Sequence, residues 1–239
     1  MIKVKEKFLE LVKTTIPHGY EHTILEHLPP LQRDFFGNAY IKIGEDPKIV
    51  FTSHLDTYSF GIPEKVNVKI KDGFVQTDGT TVLGADDKAG VVVLLAMIEA
   101  QIPGIYYFFV GEEIGRLGSI YASTSLEFEE LGKSATSVVS FDRRGYSSII
   151  THQLQSRTCE DDFACRIMES LNESGLKTKL DPTGSFTDSY SFVGKGNIKN
   201  CTNISVGYFD AHSGNEKQDL AFLELLCKAS TSFDWDSIS

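Results

Sequence analysis

Several short runs in this sequence carry side chains that can bind a cation or move a proton. Ser53-His54-Leu55-Asp56-Thr57 closes an apolar run. Residues two apart in a strand share a face, so His54 and Asp56 can meet one metal, or Asp56 can hold the His54 ring from behind. A satisfied polar strand end explains the pair as well. Asp86 and Asp87 open an apolar helix after a loop containing Gly79 and Gly84, and Gly90 follows within the first turns. Acids at a helix start serve as caps and dipole partners, but the glycines add the close approach that a loop wrapped around an ion needs. Glu112-Glu113 ends another apolar run. Adjacent glutamates can face different ways, one to ligate and one to meet a reacting water. Asp142 and His212 repeat the placement. Acids and imidazoles at the ends of several apolar runs make a metal-centred cleft the economical explanation, and oxygen and nitrogen donors without thiolates suit zinc, cobalt or manganese. Arg143 and Arg144, directly after Asp142, are the local candidates for gripping a substrate carboxylate, with a surface ion pair as the alternative.

The elements that must deliver these residues are legible from periodicity. Runs at 48–57, 105–111, 137–142 and 203–208 are too continuously apolar for half-exposed strands and read as central strands covered on both faces. Helical periods appear at 3–15, 88–100, 118–131, 161–175 and 216–232. The alternation predicts a three-layer α/β fold, a mixed, mostly parallel sheet with helices on both faces. A shorter pair, 65–71 and 73–77, turns at Asp72-Gly73 and reads as an antiparallel hairpin near the sheet edge. Residues 234–239 are short and polar and read as a fraying end.

A chain of 239 residues, 41% hydrophobic, can bury one large core, so residues 1–239 are expected to form a single domain. The formal charge of −10 leaves no basic stripe for phosphates, which argues against nucleic acid and anionic membranes as partners. No long apolar run or leader pattern is visible, and the expected setting is cytoplasmic. Cys159, Cys165, Cys201 and Cys227 show no CxxC pairing and read as buried free thiols. His18, His22, His27 and His152 read as surface or satisfied core histidines.

The stretch Asp78-Gly79-Thr80-Thr81-Val82-Leu83-Gly84-Ala85-Asp86-Asp87-Lys88-Ala89-Gly90, with the order of the motifs around it, resembles the zinc exopeptidases related to peptidase T, carboxypeptidase G and aminoacylase. The resemblance implies two zinc ions. His54, Asp86 and Asp142 would hold one, and Asp86, Glu113 and His212 the other, with Asp86 as the bridge. Asp56 would orient His54, Glu112 would be the general base, and the Asp86–Asp87 peptide would be cis. The turn 184–192 is similar to one that lines the family's substrate cleft. The interval between Asp142 and His212 is too short for the inserted lid or dimerisation domain found in part of the family, so a lidless catalytic domain is expected. The implied activity is cleavage of the terminal amide bond of a short peptide, as in an aminopeptidase or tripeptidase. The alternatives are hydrolysis of acylated amino acids and a catalytically silent metal-binding module. Homo-oligomers are the expected assembly, since a lidless domain needs partner surfaces to limit access.

Overall fold

The computed structural model describes residues 2–238. In chain order the strands are β1 (Gln32–Arg33), β2 (Ala39–Ile43), β3 (Ile49–His54), β4 (Lys69–Lys71), β5 (Phe74–Gln76), β6 (Gly104–Phe109), β7 (Ser137–Arg143), β8 (Ser148–Ile150), β9 (His152–Gln153), β10 (Ser156–Arg157), β11 (Lys179–Asp181), β12 (Asn200–Ser205), β13 (Tyr208–Phe209) and β14 (Lys217–Asp219). The α-helices are α1 (Val4–Leu11), α2 (Ala85–Glu99), α3 (Leu117–Ala122), α4 (Leu126–Leu131), α5 (Asp161–Glu173) and α6 (Leu220–Ser232).

Eight strands form one sheet in the order β1-β2-β6-β3-β7-β12-β8-β11. Its centre, β6-β3-β7-β12, is parallel. Strand β2 runs antiparallel to β6, and β8 antiparallel to β12, so the sheet is mixed but mostly parallel. Every residue of β3, β6 and β12 is buried. Strands β3 and β6 show it as largely apolar runs, whereas β12 is mostly polar and lies earlier than the strand expected at 203–208, because Tyr208 and Phe209 belong to β13 in a second sheet. Alternate residues serve opposite faces. Phe51, Tyr106, Phe108, Val139 and Phe141 join a core with residues of α1, α2 and α6. Their neighbours Val50, Ile105, Tyr107, Phe109 and Val138 join a second core with Ala122 of α3, Phe128 of α4 and Phe192. Helices therefore cover both faces, as the alternation of elements predicts.

Helix α2 lies unusually close to the sheet. A Cβ on Gly90 would stand 2.0 Å from the Phe141 carbonyl oxygen, so only glycine lets the helix settle against β7. At its start the Asp86–Asp87 peptide is cis, as the resemblance implies.

The structure corrects several further local expectations. The period at 118–131 is two helices, because Ser125 adopts an extended conformation (φ −84°, ψ 144°) and its hydroxyl caps α4 by accepting the Phe128 N–H. The hairpin β4-β5 does not extend the main sheet but joins a separate sheet ordered β13-β14-β5-β4. Residues 217–219, read as helix from sequence, pair with β5 instead, and α6 begins after Asp219, whose carboxylate caps Phe222 N–H. Finally, residues 234–238 do not fray. Trp235 is buried, stacks edge-on against Phe51 at 5.0 Å and donates its ring N–H to Ser230 O. One aromatic side chain outweighs the polar composition around it.

Between β7 and β12 the chain forms the short strands β8 to β11, helix α5 and a 3₁₀ turn at Asp188–Phe192.

Candidate metal centre

The four central parallel strands all end on one edge, where ligands bind in open α/β sheets. His54 is the last residue of β3, Asp142 lies near the end of β7, the turn carrying Glu112 and Glu113 follows β6, and the loop carrying His212 follows β12 and β13. The start of α2 brings Asp86 into their midst. One oxygen of Asp86, Oδ1, is 3.2 Å from His54 Nε2, and the other, Oδ2, is 3.3 Å from His212 Nε2. Asp142 Oδ1 lies 3.8 Å from His54 Nε2, and Glu113 Oε1 lies 3.0 Å from His212 Nε2. The five residues singled out as metal ligands thus converge, with Asp86 between two subsets.

The donor set fits cations better than it fits itself. Glu113 Oε1 is buried and, although 3.0 Å from His212 Nε2, makes no well-aligned hydrogen bond among the described residues. Ligand-type atoms that close and misaligned suit a shared third partner. Burial, reinforced by Asp86 and Asp87, pushes the Asp142 carboxyl well above the usual range. Asp86 and Glu113 beside His212 hold its pKa up to about 10, and the carboxylates that keep a proton there would favour a cation in its place. The cysteines are free thiols and take no part in these ligand groups.

Asp87 also lies near His54 and Asp142. Its oxygens are engaged elsewhere: Oδ2 accepts from the Ser53 hydroxyl at 2.5 Å and the His54 amide at 3.3 Å, and Oδ1 accepts from the Gly90 amide at 3.2 Å. Asp56 sits behind His54 as expected, but with a division of labour the sequence did not reveal. The His54 Nδ1–H donates to the Asp56 backbone oxygen at 2.9 Å with the carboxylate Oδ1 3.5 Å away, and that carboxylate also accepts the amides of Glu112 at 3.0 Å and Glu113 at 3.1 Å. Glu216, not singled out from sequence, accepts the amides of Leu83 and Gly84, both at 2.8 Å, and of Asp86 at 3.0 Å. It fixes the loop that presents Asp86. A lone glutamate at the start of an expected helical period carries no signal of that role.

Glu112, Glu113, Asp86, Asp142 and His212 face a cleft of about 820 Å³. Burial pushes the Glu112 carboxyl up to about 8; His54 opposes the shift, while Asp188, Asp86 and Glu113 add to it. Ser185 and Phe186 from the 184–192 turn line the cleft wall. Asp188 on that turn is buried with neither carboxylate oxygen hydrogen-bonded. Of the two arginines, Arg143 is engaged by Thr183 O at 3.3 Å and Asp181 at 3.8 Å, whereas Arg144 is exposed on the cleft wall and forms no ion pair among the described residues. Tyr58 stacks on the His212 ring at 4.4 Å. His27 and His152 lie on local partners, Glu10 and Thr151, and His22 on Tyr20.

No family model matches the sequence. An uncharacterized protein of Bacillus subtilis, YqjE, is 45% identical over 78 residues, which are 30% of this chain and 20% of that protein. Solved structures match across almost the whole length. The aminopeptidase PepT of Bacillus cereus is 18% identical at a TM-score of 0.76, over 96% of this chain and 97% of that one. The TET1 peptidase of Pyrococcus horikoshii is 16% identical at 0.74, over 95% and 97%. A tripeptidase of Staphylococcus aureus is 20% identical at 0.70, over 96% of both. The chain therefore shares the α/β fold of these peptidases. No helix of the described residues is long and apolar enough to cross a membrane.

Proposed function

We propose that this chain is a di-zinc exopeptidase that hydrolyses the terminal amide bond of short peptides, in the manner of an aminopeptidase or tripeptidase. The observation that carries this is Asp86, whose two oxygens face His54 on one side and His212 on the other. His54, Asp86 and Asp142 would hold one cation, and Asp86, Glu113 and His212 the second. Cations bound there would polarise the scissile carbonyl and make a water acidic enough to attack near neutral pH. Glu112, in the same cleft and with a raised pKa, takes the proton of the attacking water and returns it to the leaving amine. Asp56 holds the His54 ring through its backbone oxygen and the Glu112–Glu113 backbone through its carboxylate. Arg144, with its guanidinium free at the cleft, is the better placed of the two arginines to grip a substrate carboxylate; Arg143 supports the wall through Asp181 and Thr183.

The wider setting follows the same reading. Residues 1–239 act as one catalytic domain without an inserted lid, and the chain assembles into a homo-oligomer that limits access to the cleft. The TET1 peptidase of similar fold can assemble into a tetrahedron or an octahedral shell. Free cysteines suit a reducing, cytoplasmic compartment. The test is to incubate the zinc-loaded protein with a mixed pool of short peptides and acylated amino acids and to follow the products by mass spectrometry. Loss of single residues from one peptide end is expected. Deacylation without peptide cleavage, or no turnover with zinc, cobalt or manganese, would contradict it.

A further inference from the structure

Just before the Glu112-Glu113 pair, Gly111 turns the chain with φ +67°, a conformation that glycine adopts without cost. Its amide donates to Glu21 Oε1 at 3.2 Å. The next two amides donate to Asp56, Glu112 to Oδ1 at 3.0 Å and Glu113 to Oδ2 at 3.1 Å. Three successive N–H groups of one turn are therefore held by two carboxylates from distant parts of the chain, both buried.

Glu21 is itself fixed from two sides. Its Oε2 accepts the Gly19 amide at 2.6 Å, and its Oε1 accepts the Nδ1–H of His18 at 2.7 Å. The His18 ring packs on the turn, since a Cβ on Gly111 would stand 3.0 Å from its Cε1 and Nδ1. His18, Glu21 and Asp56 lie close enough together to suggest a further cation site. Their oxygens are already engaged by backbone amides and by the His18 ring, which argues for a brace. The turn held in this way carries Glu112 and Glu113, both of which face the cleft. Charge-assisted hydrogen bonds to the amides hold it in place without touching the acids themselves.

We propose that Glu21, held by His18, is a positioning residue that fixes the 111–113 turn and so aims Glu112 into the cleft. This rests on Glu112 being the general base. The experiment compares His18→Ala, Glu21→Ala and Glu21→Gln by amide hydrogen exchange, zinc content and peptide turnover. Exchange of the 111–113 amides is expected to rise at least about tenfold in His18→Ala and Glu21→Ala, with β3 unchanged, as for a local opening. Turnover should fall about a hundredfold in Glu21→Ala, the scale of misplacing a reacting group by an ångström, and about tenfold in His18→Ala. KM should stay within about twofold and zinc content should not change, because the loss is in aiming rather than binding. Glu21→Gln, which keeps one acceptor oxygen, should recover part of the loss. In a Glu112→Gln background, His18→Ala should cost no further turnover, since it acts through Glu112. His18 is partly exposed, so its variant carries the test if Glu21→Ala fails to fold. Unchanged exchange at the turn in His18→Ala, or an equal turnover loss with and without Glu112, overturns the proposal. Normal turnover in Glu112→Gln would instead remove the base assignment on which it rests.

Discussion

At the scale of single residues, the centre is a set of side chains each held by something other than a cation. His54 is turned by the Asp56 carbonyl, Asp142 receives hydrogen bonds from Thr187 and Tyr208, and His212 lies under Tyr58. Such prior fixing lowers the cost of assembling the ligands around ions. If Glu112 is the general base, as proposed, Glu112→Gln is expected to leave zinc content intact and cut turnover by about 10² to 10⁴, the usual worth of general base catalysis. Zinc analysis beside peptide hydrolysis rates measures both. Arg144→Ala should raise KM about tenfold for peptides with a free carboxyl terminus while sparing amidated ones, as expected when a charge-assisted pair is lost. Arg143→Ala, whose guanidinium already has partners, should show less contrast between the two substrates. His54, Asp86, Glu113, Asp142 and His212 were legible in the sequence because each follows an apolar run or opens an apolar helix. Glu21 and Glu216 were not, because their work is to accept backbone amides from segments far away in sequence. Nothing about an isolated glutamate discloses which amides will reach it.

Among the elements, the contact between α2 and the sheet governs where Asp86 stands. Gly90 lets the helix approach β7, and a methyl group there would meet both the Phe141 carbonyl and the Asp87 carboxylate. Gly90→Ala is therefore expected to destabilise the fold by about 1–3 kcal/mol, the range for overpacking. At about 2–4 °C per kcal/mol for a chain of this size, thermal unfolding would report it as a clear fall in Tm. An unchanged Tm would mean that the helix can shift away from β7 at little cost. The central strands and most helices could be read from periodicity because burial on both faces, or on one stripe, writes a pattern into composition. Of the second sheet only the hairpin β4-β5 could. Strands β13 and β14 are too short for a period of two to show, and they exist because the hairpin β4-β5 offers an edge to pair with. Likewise, the break between α3 and α4 is set by the Ser125 cap, a single residue inside an otherwise continuous helical pattern.

For the whole molecule, the C-terminal segment closes one core by placing Trp235 against Phe51 and Phe141, which are strand residues directly behind the site. Trp235→Ala should cost about 3–5 kcal/mol, as for other large aromatic truncations, and denaturant unfolding would read it. The polar letters around Trp235 hid this role, since one buried indole can anchor a segment that looks like a tail. The proposed assembly is tested by light scattering of the purified chain, where a monomer at micromolar concentration would contradict it. The central claim is that Asp86 joins two cation sites. Calorimetric titration of zinc into the metal-free protein tests it most directly, comparing the native chain with Asp86→Ala. Two zinc ions bound per native chain, and neither retained tightly by the variant, is the expected result. Two sites surviving in Asp86→Ala, or a single site in the native chain, would contradict it.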